Sequence, residues 1–234
     1  ALGHRVLSMP MSLVGSAIGQ VFFQRAAQGR HDGTLTTVVV AVFRRLVVFS
    51  ICPFLLLILI GPDVFALVFG PGWREAGLYA SILAPWTMVM LVSSPLSPLL
   101  AVLERQRTGL LFHAALISSR VVSLLIGGNV ESVVIALTLC AASGAAIGLW
   151  KLIYTLNLVG ISVSQVLLQI ARTLLLAVMF ISPALALRLA AVATPHTIIL
   201  VGGLGVTLYY LFMGARDPQI VAVVRRIRAL RTGA

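Results

Sequence analysis

Apolar residues run through this chain in seven long continuous segments, and the polar positions fall mainly between them. The segments cover residues 6–23, 38–60, 78–103, 108–127, 130–154, 167–190 and 197–213. Runs of about 20 apolar residues, wound as helix, match the roughly 30 Å hydrocarbon core of a bilayer. None alternates apolar with polar as a barrel wall must, so the pattern predicts helices rather than membrane strands. A polar stretch at 24–37 divides the first two segments. A connector with Pro62, Gly70, Pro71 and Gly72 precedes the third, and the charged turn 104–107 precedes the fourth. The expectation is an all-α polytopic transmembrane helix bundle of about seven membrane helices over residues 1–214. In the tail, 215–234, Ile220, Val223, Val224, Ile227 and Leu230 stand opposite Arg225 and Arg228 at helical spacing. It reads as a basic amphipathic helix lying on an anionic leaflet.

Composition strengthens the membrane reading. With 60% hydrophobic and 10% charged residues, a soluble fold could not cover its surface with polar groups. The net charge of +11 is topological on this reading, and no nucleic-acid partner is expected. Counting loops alternately puts Arg25, Arg30, Arg44, Arg45, Arg105, Arg107, Lys151, Arg216 and the arginines of the tail on one side. The other side receives Arg5, Arg74 and Arg188. The positive-inside rule then makes the C-terminus cytoplasmic. Cys52 and Cys140 lie inside apolar segments and read as small apolar residues. No metal-ligand or disulfide spacing is present, and no cofactor is expected. The chain starts at Ala1 rather than Met and reads as a fragment.

Polar residues within the spans are the candidates for function. In the first segment Ser8, Ser12, Ser16 and Gln20 recur every four residues, with Gly15 and Gly19 beside them. The stripe suits either a watery cavity or close packing through small residues, and Gln20 leans toward the cavity. The third segment carries Pro85, Pro95 and Pro98, with Ser93, Ser94 and Ser97 among them. Three prolines cannot sit in one straight helix, so a broken helix is expected, lining water or buried in protein. In the fourth, His113 and Arg120 are seven residues apart and point the same way to within about 20°. Arg120 either faces a cavity and meets an anion or snorkels to the interface. Arg172 reads as a snorkelling residue. The six acidic residues all fall in loops or at segment ends on this reading, so the spans offer arginines rather than carboxylates, which suits phosphate.

Two stretches resemble a known family. One is RVLSMPMSLVGSAIGQVFFQRAAQ at 5–28, and the other is VFGPGWREAGLYASILAPW at 68–86, continuing through SSPLSPLLAVLERQ at 93–106. Together they resemble the bacterial polysaccharide flippases of the Wzx type, the polysaccharide transporter family of the multidrug/oligosaccharidyl-lipid/polysaccharide exporter superfamily. The likeness runs over roughly 1–154. It implies two pseudo-symmetric bundles of six helices around a central cavity, with this chain as the second lobe, entered at about its second helix, plus two more. It further implies translocation of undecaprenyl-pyrophosphate-linked oligosaccharide across the bacterial inner membrane by alternating access, for O-antigen, capsule or exopolysaccharide synthesis. The lipid-linked oligosaccharide and membrane lipids are then the partners. Proton or sodium coupling, a polysaccharide polymerase and a chain-length regulator follow from the same resemblance.

On that reading Arg120 and Arg5 contact the pyrophosphate, Ser12, Ser16, Gln20, Ser94 and Ser97 line the sugar path, and His113 stands beside them. Drug or cation antiporters and lipid II flippases of the superfamily are alternatives. The antiporter would want a membrane-embedded carboxylate. A glycan polymerase or acyl transferase would need an acid, base or nucleophile cluster, and four scattered histidines with no paired carboxylates offer none. The expectation is therefore a transporter rather than an enzyme, or else a purely structural membrane component.

Overall fold

The computed structural model describes residue 22 and residues 24–190 and 194–216. Apart from Phe22, the first apolar segment with Ser12, Ser16 and Gln20, the preceding Arg5 and nearly all of the basic tail lie outside the described residues. Residues 24–31 are helical (α1). There follow α2 (Leu35–Phe69), a 3-10 turn at Pro71–Trp73, α3 (Arg74–Ser93), α4 (Leu99–Val102), α5 (Gln106–Asn129), α6 (Val133–Asn157), α7 (Val163–Leu189) and α8 (Pro195–Arg216). Six helices among the described residues are long and apolar enough to cross a membrane, so the chain is an all-α, multi-pass membrane protein.

Local chemistry sets several helix ends. Ser132 caps α6 by accepting from the Ile135 amide at 3.3 Å. Ser162 and Gln165 form a reciprocal capping box at the start of α7, each side chain accepting from the other's backbone N–H. α5 ends in a Schellman motif, with the Ser132 amide on Gly127 O and the Glu131 amide on Gly128 O. There Glu131 takes φ 53°, a position that glycine usually fills.

One boundary differs from the sequence reading. The second span was expected to stop at 60, before Pro62, yet α2 continues for 35 residues to Phe69. Side-chain donors support the backbone around that proline: Ser81 Oγ donates to Leu57 O at 2.8 Å, and Arg188 donates to Leu59 O. A similar repair serves Pro183 in α7, whose missing N–H would have bonded Met179 O. Ser182 Oγ takes that carbonyl at 2.8 Å. The third span is broken as the prolines require, α3 ending at Ser93 and residues 94–98 forming turns before α4. Asp63, read as lying in a loop or at a segment end, and Lys151, counted with one side's cations although inside the fifth segment, are buried within α2 and α6, at 7% and 8% exposure. The helical frame continues past Pro62 and through Lys151, so both charges are carried inside spans.

The chain divides into two compact units. Among the described residues, one comprises those up to 50 together with 82–171, and the other comprises 51–81 together with those from 172 onward. In the first, α5 and α6 form an antiparallel hairpin whose seam holds Phe112 edge-on to Trp150 at 5.5 Å. In the second, Ile60, Ala184 and Ile198 make an apolar core joining α2, α7 and α8.

Candidate functional site

The polar centre of the first unit is built on a stripe of small residues along α6. Ala141, Gly144, Gly148, Lys151 and Thr155 recur at helical spacing and are all buried. Such a stripe lets another helix approach closely. A Cβ on Gly144 would lie 2.6 Å from Trp86 Cδ1, and one on Gly148 would lie 2.9 Å from Val89 Cγ1. The bare backbone of α6 is therefore what seats α3 and its indole.

Trp86 in turn carries Arg120. The guanidinium carbon stands 4.6 Å from the indole centroid, a cation–π contact. Trp86 Nε1 is buried and has no hydrogen-bond partner among the described residues. On α5, Arg120 lies about 40° round from buried Leu116 and His113 about 60°. Both are exposed and stand at the margin of the buried seam rather than on the opposite face.

Lys151 occupies the same α6 stripe, one turn from Gly148. Its Nζ donates to Ser97 Oγ at 2.9 Å, and Ser97 Oγ donates to Ser93 O at 2.9 Å. The only lysine of the chain thus reaches the turn where the proline-bearing span breaks. Ser94, in the same turn, is exposed. At the far end of the break, Arg30 donates to Val102 O and pairs with Glu104 at 3.5 Å.

Helix geometry sets the depth of these charges. Lys151 is six residues, about 9 Å, from the end of α6, whereas Arg120 is fourteen residues, about 21 Å, from the start of α5. Those two helix ends share one side of the hairpin, which Arg105 and Arg107 also flank. Positive charge therefore steps from that side toward the middle of the unit. Asp32, Glu104 and Glu131, the described acids of this unit, all sit in turns. Among the described residues no carboxylate lies within ion-pair distance of Arg120 or Lys151.

The second unit holds a different arrangement. Asp63 Oδ2 lies 3.2 Å from Arg188 Nη1, and Oδ1 lies 2.9 Å from Arg74 Nη2. The Arg74 contact is an ion pair without hydrogen-bond alignment, since Oδ1 accepts no hydrogen bond among the described residues. The loop count put Arg74 and Arg188 on one side, and they share this one carboxylate.

Of the sequence candidates, Arg120 stands on Trp86, Ser97 holds Lys151, and Ser94 and His113 are exposed. Sequence reasoning passed over Lys151 and the anchoring role of Trp86. The signal available was the run Gly144, Gly148, Lys151, Thr155, a small-residue face that turns polar at one end. Comparison with family models, with curated proteins and with solved structures found no match for this chain.

Proposed function

We propose that this membrane protein translocates a lipid-linked anionic headgroup, an undecaprenyl-pyrophosphate-linked oligosaccharide, by alternating access. The observation that carries the reading is the stepped positive charge of the first unit, Lys151 then Arg120, with no acid paired to either among the described residues. A cation in a span needs an anion, backbone carbonyls or water, and a pyrophosphate entering from the arginine-rich side would meet Lys151 first. Arg120 would take it next, with the exposed Ser94 and His113 offering hydrogen bonds to sugar. The chain's own role is to bind and reorient, and no bond of the substrate is made or broken. On this reading the membrane is the bacterial inner membrane, the arginine-rich side is cytoplasmic, and the product feeds surface polysaccharide assembly. A cation antiporter is the weaker reading, because Asp63, the acid buried within a span, is already paired with two arginines.

The test is complementation in a strain whose surface polysaccharide depends on this protein, at matched membrane expression. Arg120→Ala and Lys151→Met are expected to reduce surface polymer at least tenfold, with lipid-linked precursor accumulating on the cytoplasmic side. Full polymer from both variants would refute the proposal.

A further inference from the structure

A groove of about 370 Å³ lies entirely within the second unit, between the residue 51–69 part of α2 and the residue 172–189 part of α7. That size falls in the lower part of the roughly 300–1,000 Å³ range of ligand clefts. Leu55 and Ile58 line one wall, and Val178, Ile181 and Leu185 the other. Ser182 also borders it, but its hydroxyl already serves Met179 O. The remaining polar group is Arg188.

Arg188 is the penultimate residue of α7, so it sits where that span ends. From there to Val178 is ten residues, about 15 Å of helix directed into the span. The groove therefore has a charged end at the membrane boundary and an apolar body running inward. Its cation is incompletely neutralised. Arg188 uses Nη1 for Asp63 and Leu59 O, leaving Nε and Nη2 without partners among the described residues. The side chain is 35% exposed. Two arginines share the single carboxylate of Asp63, so the cluster keeps a net charge of +1.

We propose that this groove binds an anionic glycerophospholipid, one acyl chain along α7 and the phosphodiester on Arg188. A phosphodiester with no compensating ammonium brings one negative charge, which matches the cluster. A pyrophosphate would bring more, beside the carboxylate of Asp63. A planar guanidinium with two unused donor groups suits phosphate oxygens. The site is separate from the charges that carry the transport reading, and it stands or falls independently of that reading.

Native mass spectrometry of the purified full chain, titrated with phosphatidylglycerol or with phosphatidylcholine of the same acyl chains, tests this. Phosphatidylglycerol should bind about tenfold more tightly, because both lipids offer the phosphodiester to Arg188 but only phosphatidylcholine adds an ammonium that the net-positive cluster repels. Arg188→Gln should erase that preference, and Val178→Trp, which fills the groove without touching the ion pairs, should weaken both lipids. Equal binding of the two lipids overturns the proposal, as does indifference to Val178→Trp. Displacement by millimolar inorganic phosphate would mean that the head alone is bound, and preference for a polyprenyl phosphate would reassign the occupant. Either result overturns the assignment. Should the variants fail to fold, photo-reactive phosphatidylglycerol on the wild-type chain decides. Crosslinks on Ile58, Val178 or Leu185 support the site, and crosslinks confined to other helices refute it.

Discussion

Replacing Lys151 by Met should leave the protein as stable as before or more so, while removing the transport proposed above. Lys151 is 8% exposed, and its one hydrogen bond among the described residues is to a neutral hydroxyl at 2.9 Å. Placing a lysine at the centre of a membrane helix is unfavourable by about 2.5–3.5 kcal/mol on insertion scales, an upper bound for Lys151, which lies about 9 Å from the end of α6. A hydrogen bond to a charged group returns about 1.5–3 kcal/mol, which leaves a net penalty of up to about 2 kcal/mol. Met has a similar unbranched length and fills the same space. Ser97 keeps its own bond to Ser93 O, so no donor is orphaned. Lys151→Met is therefore expected to gain about 0–2 kcal/mol, whereas Lys151→Ala should lose about 1–2 kcal/mol through the cavity it opens. Unfolding by titration with denaturing detergent measures both. A loss above about 1 kcal/mol in the Met variant would show that the ammonium has a structural role, and the argument for a site charge would fail.

Three further outcomes follow from close contacts. Gly127→Ala should destabilise by about 1–3 kcal/mol, because its Cβ would lie 2.3 Å from Ala136 Cβ and 2.7 Å from Ala136 Cα. The adjacent Gly128→Ala meets no atom within 4 Å and should gain up to about 1 kcal/mol from helix propensity. Equal signs in the same unfolding titration would show that the α5–α6 crossing is wrongly placed. Asp63→Asn should cost about 1–3 kcal/mol, below the full value for a buried pair because its partners are partly exposed. Within that cluster, Arg188→Gln should cost more than Arg74→Gln, since Arg74 is 60% exposed and Arg188 35%; the reverse order of unfolding midpoints would refute it. Gly144→Ala must displace the Trp86 indole and with it Arg120. In a Trp73→Phe, Trp150→Phe background the emission maximum of Trp86 should shift and transport should fall, and an unchanged spectrum would count against the seat.

The spans themselves were legible because hydrophobic length is a local property, and the described helices α2 to α8 coincide with segments that the apolar pattern marks. The errors have a common physical source. Pro62 reads as a stop because it lacks an N–H, and the groups that stabilise the carbonyls around it are distant in sequence. Arg188 reaches Leu59 O across 129 residues. Asp63 read as a loop residue for the same reason, since its burial depends on Arg74 and Arg188. Arg120 stood out as a charge in an apolar run, but its seat on Trp86 depends on the absence of a side chain at Gly144, a third helix away. Lys151 was counted with one side's cations because it lies near a span's end. Among the described residues its partner is Ser97, in the turn at 94–98.

The two units treat charge carried within spans in opposite ways, and the difference bears on the proposed function. In the second unit the fold supplies Asp63 to two arginines, and α2, α3 and α7 are tied together by the result. That is how a membrane protein uses charge to fix its own helices. In the first unit Arg120 is matched with the face of an indole and Lys151 with a hydroxyl, both neutral partners that hold a cation in place without cancelling it. A sequence able to place an acid inside a span for structural ends has placed none beside these two among the described residues. The uncancelled charge is then left to meet an anion, and it is on this interaction that the proposed function rests.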